Sequence, residues 1–411
     1  MTDVWRSGGL GPGGVSMKAR VEQQLGRASR SPLGIWFRDI DRVLLLIAFL
    51  LIAIGLVAVA AGSPASAQRY SDAAHQVPPM YYFWRQVGWV GVSVPVLLVV
   101  SMLPVHVARR MALLGALACL LCLAAVPLIG VDANGARRWI GYGFAQFQPS
   151  EFLKPFFIVS TAWILSLRAQ DDKLPVMAIT AAITGLIVFL LMLQPDFGQT
   201  IVFGAVWLIL LMVAGISPRV MAALGAAGIG GIISAYLFYD TARARIDSFL
   251  FGDAAAGAAD SYQTDMAHAV LTAGGIFGRG PGAGTVKFRL PEAHTDYIYA
   301  VVGEEFGLIA CAVIALLFMA LVVRVLVKLL EEDDAFRLLA AAGLVSQFGV
   351  QAMISMAVNT GLAPSKGMTL PFISYGGSSM IALSIGMGLL LAFTRRNPYL
   401  ARSSYGTGWS G

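Results

Sequence analysis

The chain has 411 residues, of which 57% are hydrophobic and only 13% charged, with a mean hydropathy of +0.74. A soluble domain carries about 25% charged residues, so a water-soluble globular protein is excluded. The formal net charge of +6 is spread over many short polar segments. It forms no basic run of the kind that binds nucleic acid, and no nucleic-acid partner is expected.

Residues 1–42 are polar, Gly/Ser-rich and basic, and they precede the first apolar run. A secretory signal would place its apolar region nearer the start, so this segment reads as an uncleaved, disordered cytoplasmic tail. Ten apolar runs of about 20 residues, the length that crosses a bilayer, then follow. They are 43–62, 83–104, 111–130, 150–167, 174–194, 198–216, 220–239, 297–323, 338–359 and 377–394. The expected fold class is therefore an all-α polytopic membrane protein with ten transmembrane helices. Helices 1–7 fall in 43–239 and helices 8–10 in 297–394, with a large extracytoplasmic loop at 240–296 between them. With both termini cytoplasmic, 18 of the 29 Lys and Arg residues lie on the cytoplasmic side, as the positive-inside rule requires. A short cytoplasmic tail at 395–411 closes the chain.

Cys119, Cys122 and Cys311 all fall within apolar runs. The C-x-x-C they include has only leucines between and no His or carboxylate near it, so packing is the reading, rather than zinc or redox chemistry. GPGAGTVK at 280–287 superficially matches a P-loop, but it lacks the Gly-Lys-Ser/Thr ending and a preceding strand. No internal repeat or matching pair of broken helices points to a secondary transporter.

The expected orientation puts 131–149, 195–197, 240–296 and 360–376 on the outer face. NGARRWIGYGFAQFQPSEFLKP, at 134–155, brings Arg137 and Arg138, whose guanidinium geometry matches phosphate or carboxylate oxygens. Glu151 and Lys154 sit three apart on one helix face, where they can pair. Asp196, in QPDFGQ, follows a proline at a helix start and reads as structural. The 359–379 segment adds Lys366 and a run of hydroxyls and small residues from Ser374 to Ser379, suited to a polar ligand or to tight helix packing. GRGPGAGTVKFRLPEAHTDYIYAVVGEEFG, at 278–307, crowds Lys287, Arg289, Glu292, His294 and Asp296 against an apolar run, where charge is costly and by default functional. Asp296 serves equally well as a helix cap. Asp296, Ala300, Glu304 and Gly307 share one helical face, expected to point into the bundle. Carboxylates and cations thus converge at one leaflet, which fits an amphiphile with an anionic headgroup.

NGARRWI, QPSEFLK, QPDFG, GGIFGRGPG, LPEAHTDYIYAVVGEE and KGMTLPFISYGGSS, in this order from Asn134 to Ser379, resemble the SEDS family (shape, elongation, division and sporulation) of bacterial peptidoglycan polymerases. KGMTLPFISYGGSS and GTVK before LPEAHTD look like the cell-division branch, FtsW, of alphaproteobacterial type, more than the elongation branch, RodA. Tyr297 and Tyr299 stand where the family commonly has Phe. The resemblance implies a peptidoglycan glycosyltransferase that polymerises lipid II into β-1,4 glycan strands at the outer face of the inner membrane, at the division septum. An α-linked donor giving a β-linked product implies one inverting displacement, with undecaprenyl pyrophosphate leaving. Asp296 maps onto the family's catalytic aspartate and is assigned as general base. Arg138, Lys154 and Lys366 are the expected pyrophosphate or substrate contacts. Glu151 and Ser374 join them as substrate-binding candidates, and Glu292 and His294 as groups orienting Asp296 or the acceptor sugar. A divalent cation (Mg or Mn) at the pyrophosphate is compatible, although no dedicated ligand set is visible. Expected partners are lipid II, a class B penicillin-binding protein transpeptidase, other division proteins and membrane lipid. A lipid II flippase and a non-enzymatic division scaffold are the competing readings.

Overall fold

The computed structural model describes residues 32–71, 76–133, 136–141, 146–169, 171, 173–239, 243, 246–247, 254–364 and 367–395. Arg42–Thr394 form one compact unit, and the residues flanking it form another. In the flanking unit α1, Pro32–Asp39, is helical, although the sequence reads as unstructured there; a proline at the first position suits a helix start.

Each of the ten apolar runs is one helix: α2 (Arg42–Arg69), α3 (Tyr81–Met102), α4 (Val105–Ile129), α5 (Pro149–Ser166), α6 (Val176–Met192), α7 (Phe197–Val213), α8 (Pro218–Phe238), α10 (Ile298–Leu329), α11 (Ala335–Asn359) and α12 (Gly377–Phe393). Helices satisfy every backbone donor and acceptor internally, which a hydrocarbon environment demands. Seven of them are long and apolar enough to cross a membrane, while α6, α7 and α12 are apolar helices of 17 residues each. α9, Ala254–Ala273, lies in the large loop.

Two departures from the expected fold matter for the site. The 131–149 segment is not wholly irregular: β1 (Val131–Ala133) pairs antiparallel with β2 (Ala136–Trp139), placing Asp132 opposite Arg137. This small hairpin qualifies the all-α reading. Second, α10 is broken. Gly307 has φ 79° and ψ 179°, a region open essentially to glycine alone, so residues 298–306 form a half-helix cut off from the remainder.

The break leaves backbone groups that must find partners, and the 274–280 turn supplies them. Leu308 and Ile309 donate to the carbonyls of Gly275 and Ile276 at 3.0 and 3.3 Å. Arg279 and Gly280 donate to those of Glu304 and Glu305, both at 2.9 Å. A Cβ at Gly307 would overlap the Ile276 carbonyl and the Gly278 nitrogen. The turn is thereby spliced into the helix.

Packing is most extensive between α12 and α3, between α4 and α5, and around α11, which contacts α5, α7, α10 and α12. Gly377, at the start of α12, lies so close to the Trp89 ring of α3 that a Cβ there would overlap it. α8 buries no side chain.

Candidate active site

The polar residues singled out from sequence collect at the end of the bundle where α5, α7, α10 and α12 begin. Asp296 is two residues before α10 and is half-buried. It is no helix cap: the N-cap residue is Tyr297, and no side chain caps this end from within the turn. Among the described residues no group hydrogen-bonds the Asp296 carboxylate. Gly367 lies beside it, with a Cβ there falling 3.6 Å from Oδ2.

What holds Asp296 is its backbone. Asn359, the last residue of α11 and fully buried, donates from Nδ2 to the Asp296 carbonyl at 2.9 Å. Its Oδ1 accepts from Ala300 N–H at 3.0 Å, a first-turn donor that it shares with the Tyr297 carbonyl at 3.1 Å. Sequence reasoning passed over Asn359. Its one signal was a carboxamide at the C-terminal end of an apolar run, where a polar side chain needs a partner.

Burial pushes the Asp296 carboxyl up to about 7. Glu292 and Asp196 push the same way, and Arg138 opposes them. Arg138, Asp196, Glu292 and Asp296, from three separate segments, thus share one electrostatic neighbourhood.

Arg138 is fixed by Nε to the Gln194 carbonyl at 3.1 Å and Nη2 to the Pro195 carbonyl at 2.6 Å, which leaves three of its five donors. Asp196 caps α7 by accepting from Gln199 N–H at 3.3 Å, and it also accepts from Gln148 Nε2 at 3.1 Å. Burial raises its pKa, with Arg138 opposing. Glu151 and Lys154 pair at 2.9 Å, as their spacing implied, and both are buried. Glu151 also accepts from Gln199 Nε2 at 2.5 Å, and Lys154 Nζ donates to Gln351 Oε1 at 3.1 Å. Gln351 in turn donates to the Thr369 carbonyl at 3.0 Å. This chain links the turn before α7 to the segment that follows Lys366. Lys366 itself lies outside the described residues.

Neither Glu292 nor His294 hydrogen-bonds the Asp296 carboxylate. Glu292 accepts from the Tyr70 hydroxyl at 2.6 Å and from Thr295 Oγ1 at 2.8 Å. His294 Nδ1 meets Ser66 Oγ at 2.7 Å, within a cluster of Tyr70, Tyr82 and Tyr375 rings. Burial lowers the imidazole to about 4 despite Glu292, so it is neutral at pH 7. Ser374 ties its segment to the loop that carries Asp296: its hydroxyl donates to the Thr295 carbonyl at 2.7 Å and accepts from Leu370 N–H at 2.8 Å.

Glu304 is buried, as its helical face implied, and so is Glu305, which that face did not include; the partners of both are internal. Glu304 accepts from the backbone N–H groups of Thr285, Val286 and Lys287 at 2.8, 2.8 and 2.9 Å. The glycine-rich string thus does cradle an anion, one belonging to its own chain. Glu305 pairs with buried Lys287, which also donates to the Ala61 carbonyl of α2 at 2.8 Å.

Among the described residues no group of three or more His, Cys, Asp or Glu is placed to hold a metal ion. Asp196 and Glu292 are already engaged by hydrogen-bond donors. The described carboxylates therefore do not fit a protein-held cation.

Residues 41–399 match the model of the cell cycle protein family FtsW/RodA/SpoVE. The chain is 38% identical to the "probable peptidoglycan glycosyltransferase FtsW" of Caulobacter vibrioides, over 95% of this chain and 99% of that one. It is 32% identical to the stage V sporulation protein E of Bacillus subtilis, over 87% and 98%. Its fold is similar to a chain of a peptidoglycan synthase complex that coordinates polymerization and crosslinking (TM-score 0.70, 26% identity, 89% and 99% covered). It is also similar to the rod shape determining protein RodA of Thermus thermophilus (TM-score 0.62, 25% identity, 86% and 96% covered). With the expected motifs gathered around one aspartate and the match running through nearly all of the membrane unit, the chain belongs to the FtsW/RodA/SpoVE family.

Proposed function

We propose that this chain is a peptidoglycan glycosyltransferase that polymerises lipid II, with Asp296 as general base. The observation that carries the reading is the state of Asp296. It is a half-buried carboxylate that no described side chain engages, lifted to about 7 by burial, where a general base works best at neutral pH. The C4 hydroxyl of the acceptor sugar attacks the anomeric carbon of the donor, and Asp296 takes the hydroxyl proton. The bond to pyrophosphate breaks with both electrons leaving on undecaprenyl pyrophosphate, and inversion converts the α-linked donor into a β-1,4 linkage. Arg138, with donors to spare, and Lys366 neutralise the leaving group, so it departs without a proton. The N-termini of α5, α7, α10 and α12 add positive dipole ends at the same place. Glu151, Lys154, Glu292, His294 and Ser374 act by holding the segments around this centre.

In this reading all ten helices span the membrane, with both termini cytoplasmic and the site at the outer leaflet, during septal synthesis. The synthase complex among the structural relatives supports a transpeptidase partner of the penicillin-binding class. The test is polymerisation of pre-formed lipid II in detergent, with and without that partner. Asp296→Asn should insert normally yet polymerise ~10²–10⁴-fold more slowly, the range for a lost general base. A parent protein inert in both assays would favour a flippase or a scaffold instead.

A further inference from the structure

We infer that Asn359 is a positioning residue for the reaction, aiming Asp296 through the 298–306 half-helix. The inference rests on the reading of Asp296 as the base. Because Gly307 interrupts the helix, the turn that carries Asp296 takes no direction from a continuous backbone ladder, although Tyr299 and Cys311 bond across the break, hydroxyl to carbonyl at 3.2 Å and thiol to carbonyl at 3.7 Å. Its placement is set by whatever grips it, and the grips are few. At the far end Glu304 and Glu305 hold the 280–287 loop, through the Thr285, Val286 and Lys287 amides, the Gly282 amide and the Lys287 ammonium. At the near end the Ser374 hydroxyl holds the Thr295 carbonyl, and Asn359 bridges the Asp296 carbonyl and the Ala300 amide, one before the half-helix and one inside it. A third bond, Nδ2 to the Ser355 carbonyl at 2.8 Å, fixes the carboxamide against its own helix α11. All of its hydrogen-bonding capacity but one acceptor lone pair is thus used to join α11 to the base. Small misplacements of a general base are costly to rate and leave substrate affinity largely alone.

Among the described residues, the charged groups whose fields reach Asp296 are Glu292 on its own loop, Arg138 on β2 and Asp196 before α7. Asn359 is uncharged, so its removal alters these fields only by moving Asp296 among them.

The experiment compares the parent, Asn359→Ala, Asn359→Asp and Asp296→Asn as full-length protein with its transpeptidase partner. It measures kcat and KM for lipid II, the pH–rate profile and thermal unfolding. Asn359→Ala should lower kcat about 10- to 100-fold with KM within about twofold, on the scale of a misaligned catalytic group, and should move the acid limb of the profile. Asn359→Asp keeps the acceptor for Ala300 but turns a carboxylate oxygen towards the Asp296 carbonyl. It should fold, and lose kcat as well. An Asn359→Ala protein with parental kcat, or one whose activity falls only in step with its folded fraction while the acid limb stays put, overturns the inference. If Asn359→Ala fails to fold, parental kcat in Asn359→Asp overturns it. Parental activity in Asp296→Asn sinks the assignment of the base itself, a separate outcome.

Discussion

The Arg138 guanidinium donates to the Pro195 carbonyl at 2.6 Å and, through Nε, to that of Gln194. A hairpin between α4 and α5 is thus pinned to the turn before α7, and a permanent cation is held in the neighbourhood of Asp296. Arg138→Gln should remove the charge that lowers the Asp296 pKa. The acid limb of the polymerisation pH profile should therefore move above its parental position. Arg138→Lys keeps the charge but cannot reproduce a planar two-donor fork, so it should recover only part of the rate. Steady-state rates between pH 5.5 and 9 would show both, and an unmoved limb in Arg138→Gln would remove Arg138 from the site.

In the parent, activity should rise with pH through about 7, because Asp296 must be ionised to accept a proton and its carboxyl is raised to about 7. Stability should run the opposite way. A carboxyl whose folded pKa lies above its unfolded value, near 3.9, binds more protons when folded, so its contribution declines as pH climbs from about 4 to about 7. Asp296→Asn should therefore gain more in thermal midpoint at pH 8 than at pH 5. Equal gains at both would mean that the carboxylate is not desolvated.

Lys287 is 2% exposed and joined to buried Glu305. Lys287→Met alone leaves a buried carboxylate short of its counter-charge, which costs about 3–5 kcal/mol. Lys287→Met/Glu305→Leu should recover most of the lost thermal stability in detergent. A double variant no better than the single one would show that the ion pair is not the main grip on the loop.

The ten helices were legible because each apolar run is long enough to cross a bilayer and must close its own hydrogen bonds. The i,i+3 pairing of Glu151 with Lys154 was legible for a similar reason: both partners lie on one short stretch of helix. The Gly307 break was not. Its compensation comes from Gly275, Ile276, Arg279 and Gly280, some thirty positions upstream, and hydropathy has no term for such pairing. Likewise the face bearing Glu304 was read correctly as inward, but amides 285–287 as its partner leave no mark in composition. His294 was read as a group orienting Asp296 or the acceptor sugar, and its contact with Ser66 Oγ, 228 positions upstream, has no signature in the local sequence.

Gly307→Ala should be among the most damaging single substitutions. The backbone conformation alone costs about 1–3 kcal/mol for a residue with a Cβ, and that Cβ would also displace the Ile276 and Gly278 backbone. Folded yield after detergent extraction is the direct measure, and a parental yield would mean that the break tolerates a side chain.

Because Leu308, Ile309, Glu304 and Glu305 find their backbone partners in the 274–280 turn, this span has no finished form of its own. A nascent α10 entering the bilayer would carry unpaired amides and carbonyls until α9 and the turn after it had returned to meet it. Maturation of the segment that follows Asp296 is therefore tied to arrival of the large loop. Cutting or lengthening that loop should be felt first as failed assembly of the membrane core, before any loss of contact with substrate.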